Sequence, residues 1–182
     1  MPKQPFGSNG CAAGATGLCA PSGVASDPAH SLLYVADTGN SRIVRHENPL
    51  ADAIADGVIG QVDFEHTACN GTGLGPEALC GPQGLALDQD GALYAADSGN
   101  NRVLLYDRGA TSAMLVLGQP SMSASAPDAG AGGVSSPLGV AVDRRGNVYV
   151  ADHDNNRVLE YDAPRTSDTV ADRVFGQPDF AS

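Results

Sequence analysis

The sequence predicts an all-β fold in which one four-stranded unit occurs three times. Two observations carry that reading. Short β-branched and aliphatic runs separated by Gly, Asn, Asp and Pro fill the chain, which is the pattern of strands and tight turns. Four such runs then recur in one fixed order, and a fixed order of this kind sets the whole architecture. Aromatic residues make up 5% of the chain and tryptophan is absent, so the core has to be made of Val, Leu, Ile and Ala. Many thin layers of sheet suit such a core.

Run A is Pro21-Ser22-Gly23-Val24-Ala25, matched by Pro82-Gln83-Gly84-Leu85-Ala86 and Pro137-Leu138-Gly139-Val140-Ala141. Run B is Leu33-Tyr34-Val35-Ala36-Asp37, matched by Leu93-Tyr94-Ala95-Ala96-Asp97 and Val148-Tyr149-Val150-Ala151-Asp152. Run C begins Asn40-Ser41-Arg42-Ile43-Val44, matched by Asn100-Asn101-Arg102-Val103-Leu104 and Asn155-Asn156-Arg157-Val158-Leu159. Run D is Val58-Ile59-Gly60-Gln61, then Val116-Leu117-Gly118-Gln119 and Val174-Phe175-Gly176-Gln177. Between A and B, Asp88-Gln89-Asp90-Gly91 and Asp143-Arg144-Arg145-Gly146 read as tight hairpin turns, and Asp27-Pro28-Ala29-His30-Ser31 as a longer one.

Four-stranded meanders repeated radially describe the blades of a β-propeller better than the coils of a solenoid. The expected division is 1–61 for blade 1 with its leading D–A connection, 62–119 for blade 2 and 120–182 for blade 3. Ala25, Ala86 and Ala141 are expected where blades crowd toward the axis, with Val24, Leu85 and Val140 facing a neighbouring sheet.

The strings Tyr149-Val150-Ala151-Asp152 and Asn155-Asn156-Arg157-Val158, with their counterparts in the other two units, resemble the NHL repeat. The resemblance covers almost the whole chain. It implies a propeller, commonly of six blades, serving as a protein-binding platform. Some relatives bind RNA, and related propellers include amidating lyases and calcium-dependent hydrolases and lactonases. Fold alone does not choose among these, so the residues must.

A net charge of −11, from 21 acidic against 10 basic residues, repels a phosphate backbone, so nucleic acid is not an expected partner. No run of about 20 apolar residues is present to cross a membrane, and Met1-Pro2-Lys3-Gln4-Pro5 has no apolar signal region. Asp37, Asp97 and Asp152 each precede an arginine by five residues, Arg42, Arg102 and Arg157. A pair that recurs in every blade reads as structural, tying the B–C turn to its blade by charge-assisted bonds, with a ligand-contacting polar ring as the alternative. His30, His46, His66 and His153 fall at four different repeat positions, which argues against a shared metal centre. Asp152-His153-Asp154 departs from the Asp-Thr-Gly and Asp-Ser-Gly of the other units, so His153 and Asp154 are candidates for contact with a ligand.

No Gly-x-Ser-x-Gly, His-Glu-x-x-His or phosphate loop is present. A hydrolase would need acids and amides converging on the axis, and Gln83 is the one amide so placed, its counterparts being Ser22 and Leu138. A binding module is therefore expected, with no catalytic residue and no metal or cofactor assigned. A metal-dependent hydrolase or lactonase is the alternative, and calcium is the ion that it would use. The expected binding face is formed by the D–A connections and B–C turns, with Ser22, Gln83 and Leu138 nearest the axis and Thr38, Ser98, His153 and Asp154 farther out. Its ligand is a protein or a small molecule.

Cys11 and Cys69 each lie five residues after a phenylalanine, Phe6 and Phe64, while Cys19 and Cys80 each precede a run-A proline by two. Unit three lacks both members, with Ser135 at the second place. Paired absence predicts Cys11–Cys19 and Cys69–Cys80 disulfides, hence an oxidising compartment, extracellular or periplasmic, with zinc binding by the four cysteines as the rival. Three whole blades with no strand left for exchange leave two open faces, so the expected particle is a homodimer whose two chains close a six-bladed ring, the alternative being that this is one half of a longer single chain.

Overall fold

The computed structural model describes residues 10–180. Phe6 and the Met1–Pro5 segment lie outside them. Three four-stranded antiparallel sheets, each a meander in chain order, account for the regular structure. Blade 1 holds β1 (Gly23–Asp27), β2 (Leu32–Asp37), β3 (Arg42–Glu47) and β4 (Gly57–Ile59). Blade 2 holds β5 (Pro82–Leu87), β6 (Leu93–Asp97), β7 (Arg102–Tyr106) and β8 (Leu115–Leu117). Blade 3 holds β9 (Pro137–Val142), β10 (Val148–Asp152), β11 (Arg157–Tyr161) and β12 (Arg173–Phe175). Runs A to D are these strands. The second and third strands of each blade are joined through a residue with left-handed backbone, Ser41, Asn101 or Asn156, and asparagine tolerates that conformation well. Among the described residues no helix is long and apolar enough to cross a membrane.

Strand register explains how the blades stack. On one face of blade 1, Val24 pairs with Val35, Val35 with Val44, and Val44 with Val58. The matching row of blade 2 is Leu85, Ala95, Leu104 and Val116, and that of blade 3 is Val140, Val150, Leu159 and Val174. The opposite face of each blade packs on this row of the next. Tyr34, Ile43 and Ile59 of blade 1 thus share a core with Leu93, Ala95, Leu104 and Tyr106 of blade 2. Tyr94, Val103, Leu105 and Leu117 of blade 2 share another with Val148, Val150, Leu159 and Tyr161 of blade 3. These are the two sealed seams of the molecule.

Leu85 and Val140 pack against those cores as expected, but Val24 is 67% exposed, because among the described residues no blade lies on that side of blade 1. Neighbouring first strands approach closely at glycine. A Cβ on Gly23 would overlap the Gln83 carbonyl, and one on Gly84 would lie 2.7 Å from the Leu138 carbonyl oxygen. Removing the side chain lets two backbones meet near the axis.

Candidate functional site

The recurrent Asp–Arg pairs are the centres of three buried networks. Asp37 accepts from the Cys19 N–H at 2.5 Å, from Asn40 Nδ2 at 2.8 Å and from Arg42 Nε at 2.7 Å, with neither side chain of the ion pair exposed. Arg42 then donates from Nη2 to the Gly14 and Gly17 carbonyls and from Nη1 to the Phe64 carbonyl. It therefore grips the connection before its own blade and the connection after it.

Blade 2 repeats the arrangement. Asp97 accepts from the Cys80 N–H, Asn100 and Arg102, each at 2.7 Å, and Arg102 donates to Gly75, Ala78 and Met122 carbonyls. In blade 3, Asp152 accepts from the Ser135 N–H, Asn155 and Arg157, and Arg157 donates to carbonyls that include Gly130, Gly133 and Phe180. A buried ion pair is stabilising only when its remaining donors and acceptors are satisfied, and here the backbone carbonyls satisfy them. Sequence reading found the pair but missed the asparagine two residues before each arginine. It also missed the glutamine that ends run D. Gln61 Nε2 donates to the Ser41 and Ala68 carbonyls, and Gln119 Nε2 to those of Asn101 and Ala126, tying turn to connection. Both residue types were visible as repeats; their polarity inside an apolar unit was the signal.

Disulfides join Cys11 to Cys19 and Cys69 to Cys80, closing sequence separations of 8 and 11 residues, and no described cysteine is free. Two such bridges suit an oxidising environment.

Several residues of the expected binding face serve to join blades. The Ser22 hydroxyl lies 2.6 Å from that of Thr38, which donates to the Pro82 carbonyl of blade 2 at 2.6 Å. Ser98 donates in the same way to the Pro137 carbonyl of blade 3. Gln83 and Leu138 lie on the first strands of blades 2 and 3, and Leu138 is 40% exposed. Ser22, Thr38 and Gln83 thus meet at the junction of blades 1 and 2, and Ser98 and Leu138 at that of blades 2 and 3. His153 takes the place of Thr38 and Ser98 in blade 3. Its Nδ1 is 2.8 Å from Asp154 Oδ1, with both side chains more than half exposed. Hydrogen bonds from the Ser136 side chain and from His153 hold the Asp154 carboxyl below its ordinary range.

The other histidines stand apart. His30 bonds Asp27 at 2.8 Å and approaches Arg108 of blade 2, His66 bonds Asp63 at 2.7 Å, and His46 meets the Ile54 carbonyl. Among the described residues no group of three or more His, Cys, Asp or Glu side chains is arranged to hold a metal ion.

Clefts open at the opposite end, among the A–B turns and C–D connections. One, of about 540 Å³, lies between blades 2 and 3 and is crossed by Arg165, which bonds Asp88 at 2.9 Å and Asp107 at 3.0 Å. Another, of about 620 Å³, is apolar and lies on blade 1 among Pro28, Leu32, Leu33, Pro49 and Leu50.

Stacked four-stranded meanders with their first strands side by side define a β-propeller module. The NHL-repeat pattern matches residues 79–105 and 135–161, in blades 2 and 3. Blade 1 has the same strand order and the same Asp–Asn–Arg network outside that match. No curated protein matches the chain. Among solved structures it is similar to the hydrazine synthase of Kuenenia stuttgartiensis, with 14% identity, 97% of this chain and 40% of that one covered and a TM-score of 0.59. A nidogen/laminin complex is similar at 19% identity, with 89% and 49% covered and a TM-score of 0.59. Virginiamycin B lyase from Staphylococcus aureus follows at 14% identity, with 87% and 42% covered and a TM-score of 0.54. The chain spans less than half the length of each of these structures, and at such identities the likeness is one of fold.

Proposed function

We propose that the chain is an NHL-type binding module that works outside the cytoplasm, extracellular or periplasmic, as a homodimer closing a six-bladed ring. It presents the face of D–A connections and B–C turns to a protein or small-molecule ligand. One observation carries this reading. The Asp–Asn–Arg side chains that recur in every blade are held by bonds within the scaffold, whereas His153-Asp154, a departure from the repeat on this face, is exposed, with bonds to each other and from Asp154 to Ser135 and Ser136. A side chain freed from structural duty on a rigid scaffold is where recognition is expected. In the ring, Ser22, Gln83 and Leu138 of both chains line the pore entrance, and His153 and Asp154 stand at its rim. The net charge of −11 favours ligands that are not polyanions, so nucleic acid is not proposed as a partner, nor is a membrane.

The reading is tested by capturing ligands from an extracellular fraction on the immobilised wild type and on a His153→Ala/Asp154→Ala variant. Wild type should retain a ligand that the variant releases at least tenfold more readily. Turnover of ester, lactone or phosphotriester substrates that requires added calcium would overturn it in favour of a hydrolase.

A further inference from the structure

The two sealed seams show what one blade offers the next, and the open edges of blades 1 and 3 carry the same parts unmated. In each sealed seam an apolar side chain from the D–A connection lies over a glycine at the end of the preceding fourth strand. Leu79 is 0% exposed, and a Cβ on Gly60 would come within 2.7 Å of it. Val134 is 0% exposed and stands in the same relation to Gly118 at 2.5 Å. The corresponding side chain of blade 1 is Leu18, which is 37% exposed. The corresponding glycine of blade 3 is Gly176, and a Cβ there would meet only the backbone of its own blade.

We infer that these two edges are halves of a third seam, in which blade 1 of a second copy of this chain seats on blade 3, with Leu18 over Gly176. The inference rests on the two-chain ring and specifies its contact. Three further features support the fit. The backbone of blade 1's edge is already formed, since Ala20 has φ 46°, like Gly81 at 56° and Ser136 at 46° at the same place in the sealed seams. There the Gly81 N–H donates to Ser41 and the Ser136 N–H to Asn101, so the Ala20 N–H is the donor for Asn156. On the receiving side, a Cβ on Gly139 would touch nothing beyond Ala151 of its own blade, where Gly23 and Gly84 abut the next first strand.

The seam also differs from the others in a way that balances. At the far end of the sealed seams, Arg108 approaches Asp27 at 3.8 Å and Arg165 bonds Asp88 at 2.9 Å. Blade 1 has Leu50, 91% exposed, at the sequence place of Arg165. Asp143, the acid it would face, needs no arginine, because its second oxygen already accepts from Asn147 Nδ2 at 3.1 Å. Leucine there leaves no carboxylate unpaired, and Leu50 is covered instead. A closed two-fold then buries both edges at once.

Light scattering of the wild type and of a Leu18→Asp variant tests the seam, with circular dichroism to show that the sheets are intact. Leu18 belongs to neither sealed seam, so the variant retains its fold. Wild type is expected at about twice 18.4 kDa, Leu18→Asp at 18.4 kDa, and Leu18→Met at the doubled mass. A Leu18→Asp chain that stays doubled would overturn this seam while leaving a two-chain particle standing. Wild type at 18.4 kDa would overturn both.

Discussion

Blades 2 and 3 share a strand plan, yet the faces they turn away from blade 1 differ in chemistry. Blade 2 presents Tyr94, Leu105 and Leu117, each 1% exposed beneath blade 3. At the same places blade 3 presents Tyr149, Glu160 and Phe175, and Phe175 is 48% exposed. Glu160 is nonetheless buried, because it accepts from Tyr149 Oη at 3.1 Å and from Arg173 at 2.7 Å, its direct neighbours across the strands. Within the single chain, blade 2's covered face is apolar, while the open face of blade 3 pairs its buried charge across the sheet. The burial of a repeat position is thus decided by what lies on it as much as by the residue that fills it.

The largest effect that could break this comparison comes from the ion pair of the middle blade. Arg102→Ala leaves Asp97 buried without its partner and should lower unfolding free energy by about 3 to 5 kcal/mol. Chemical denaturation of the dissociated chain should show a smaller loss for Arg157→Ala at its edge; equal losses would mean that an outer blade is held as firmly as an inner one. Leu79→Ala follows, with an expected cost of about 2 to 5 kcal/mol, since a fully buried side chain is removed. Leu18→Ala, measured on the dissociated chain, should cost well under that. A Cys69→Ser/Cys80→Ser variant should lose about 2 to 3 kcal/mol by the loop-closure argument. It should keep its spectrum, because Ser135 already occupies the place of Cys80 in blade 3 and still donates its N–H to the blade's aspartate.

The smallest test is alkaline. Burial, with help from Asp88, pushes Tyr94 up to about 12, and the hydrogen bond to Glu160, followed by burial, raises Tyr149. A raised phenol pKa means that the fold favours the neutral form. Its stabilising contribution is therefore complete below pH 10, the ordinary tyrosine value, and is lost as pH rises toward about 12. Tyrosinate absorbance should appear late and rise together with loss of sheet signal. In Glu160→Gln, the titration of Tyr149 alone should move down.

Strand order, the disulfides and the repeat itself were legible because each recurs, and recurrence removes the ambiguity of any one short apolar run. Val24 was not legible as an exposed residue, since its sequence context is that of Leu85 and Val140 and only the absence of a blade beside it differs. The roles of Ser22, Thr38 and Ser98 were hidden for a related reason. Their partners, Pro82 and Pro137 carbonyls, are backbone groups in the next repeat, which no side-chain pattern records. His153 stood out by departing from the repeat, and the structure places it in the open.

The double grip of Arg42, Arg102 and Arg157 bears on how such a molecule can grow. Each arginine draws on carbonyls from its own repeat and from the stretch leading to the following one, so a repeat contains half of two junctions and the whole of none. Copying one unit into the gene would insert a complete junction with it. Blade number could then change by duplication without redesign of any contact between neighbouring repeats.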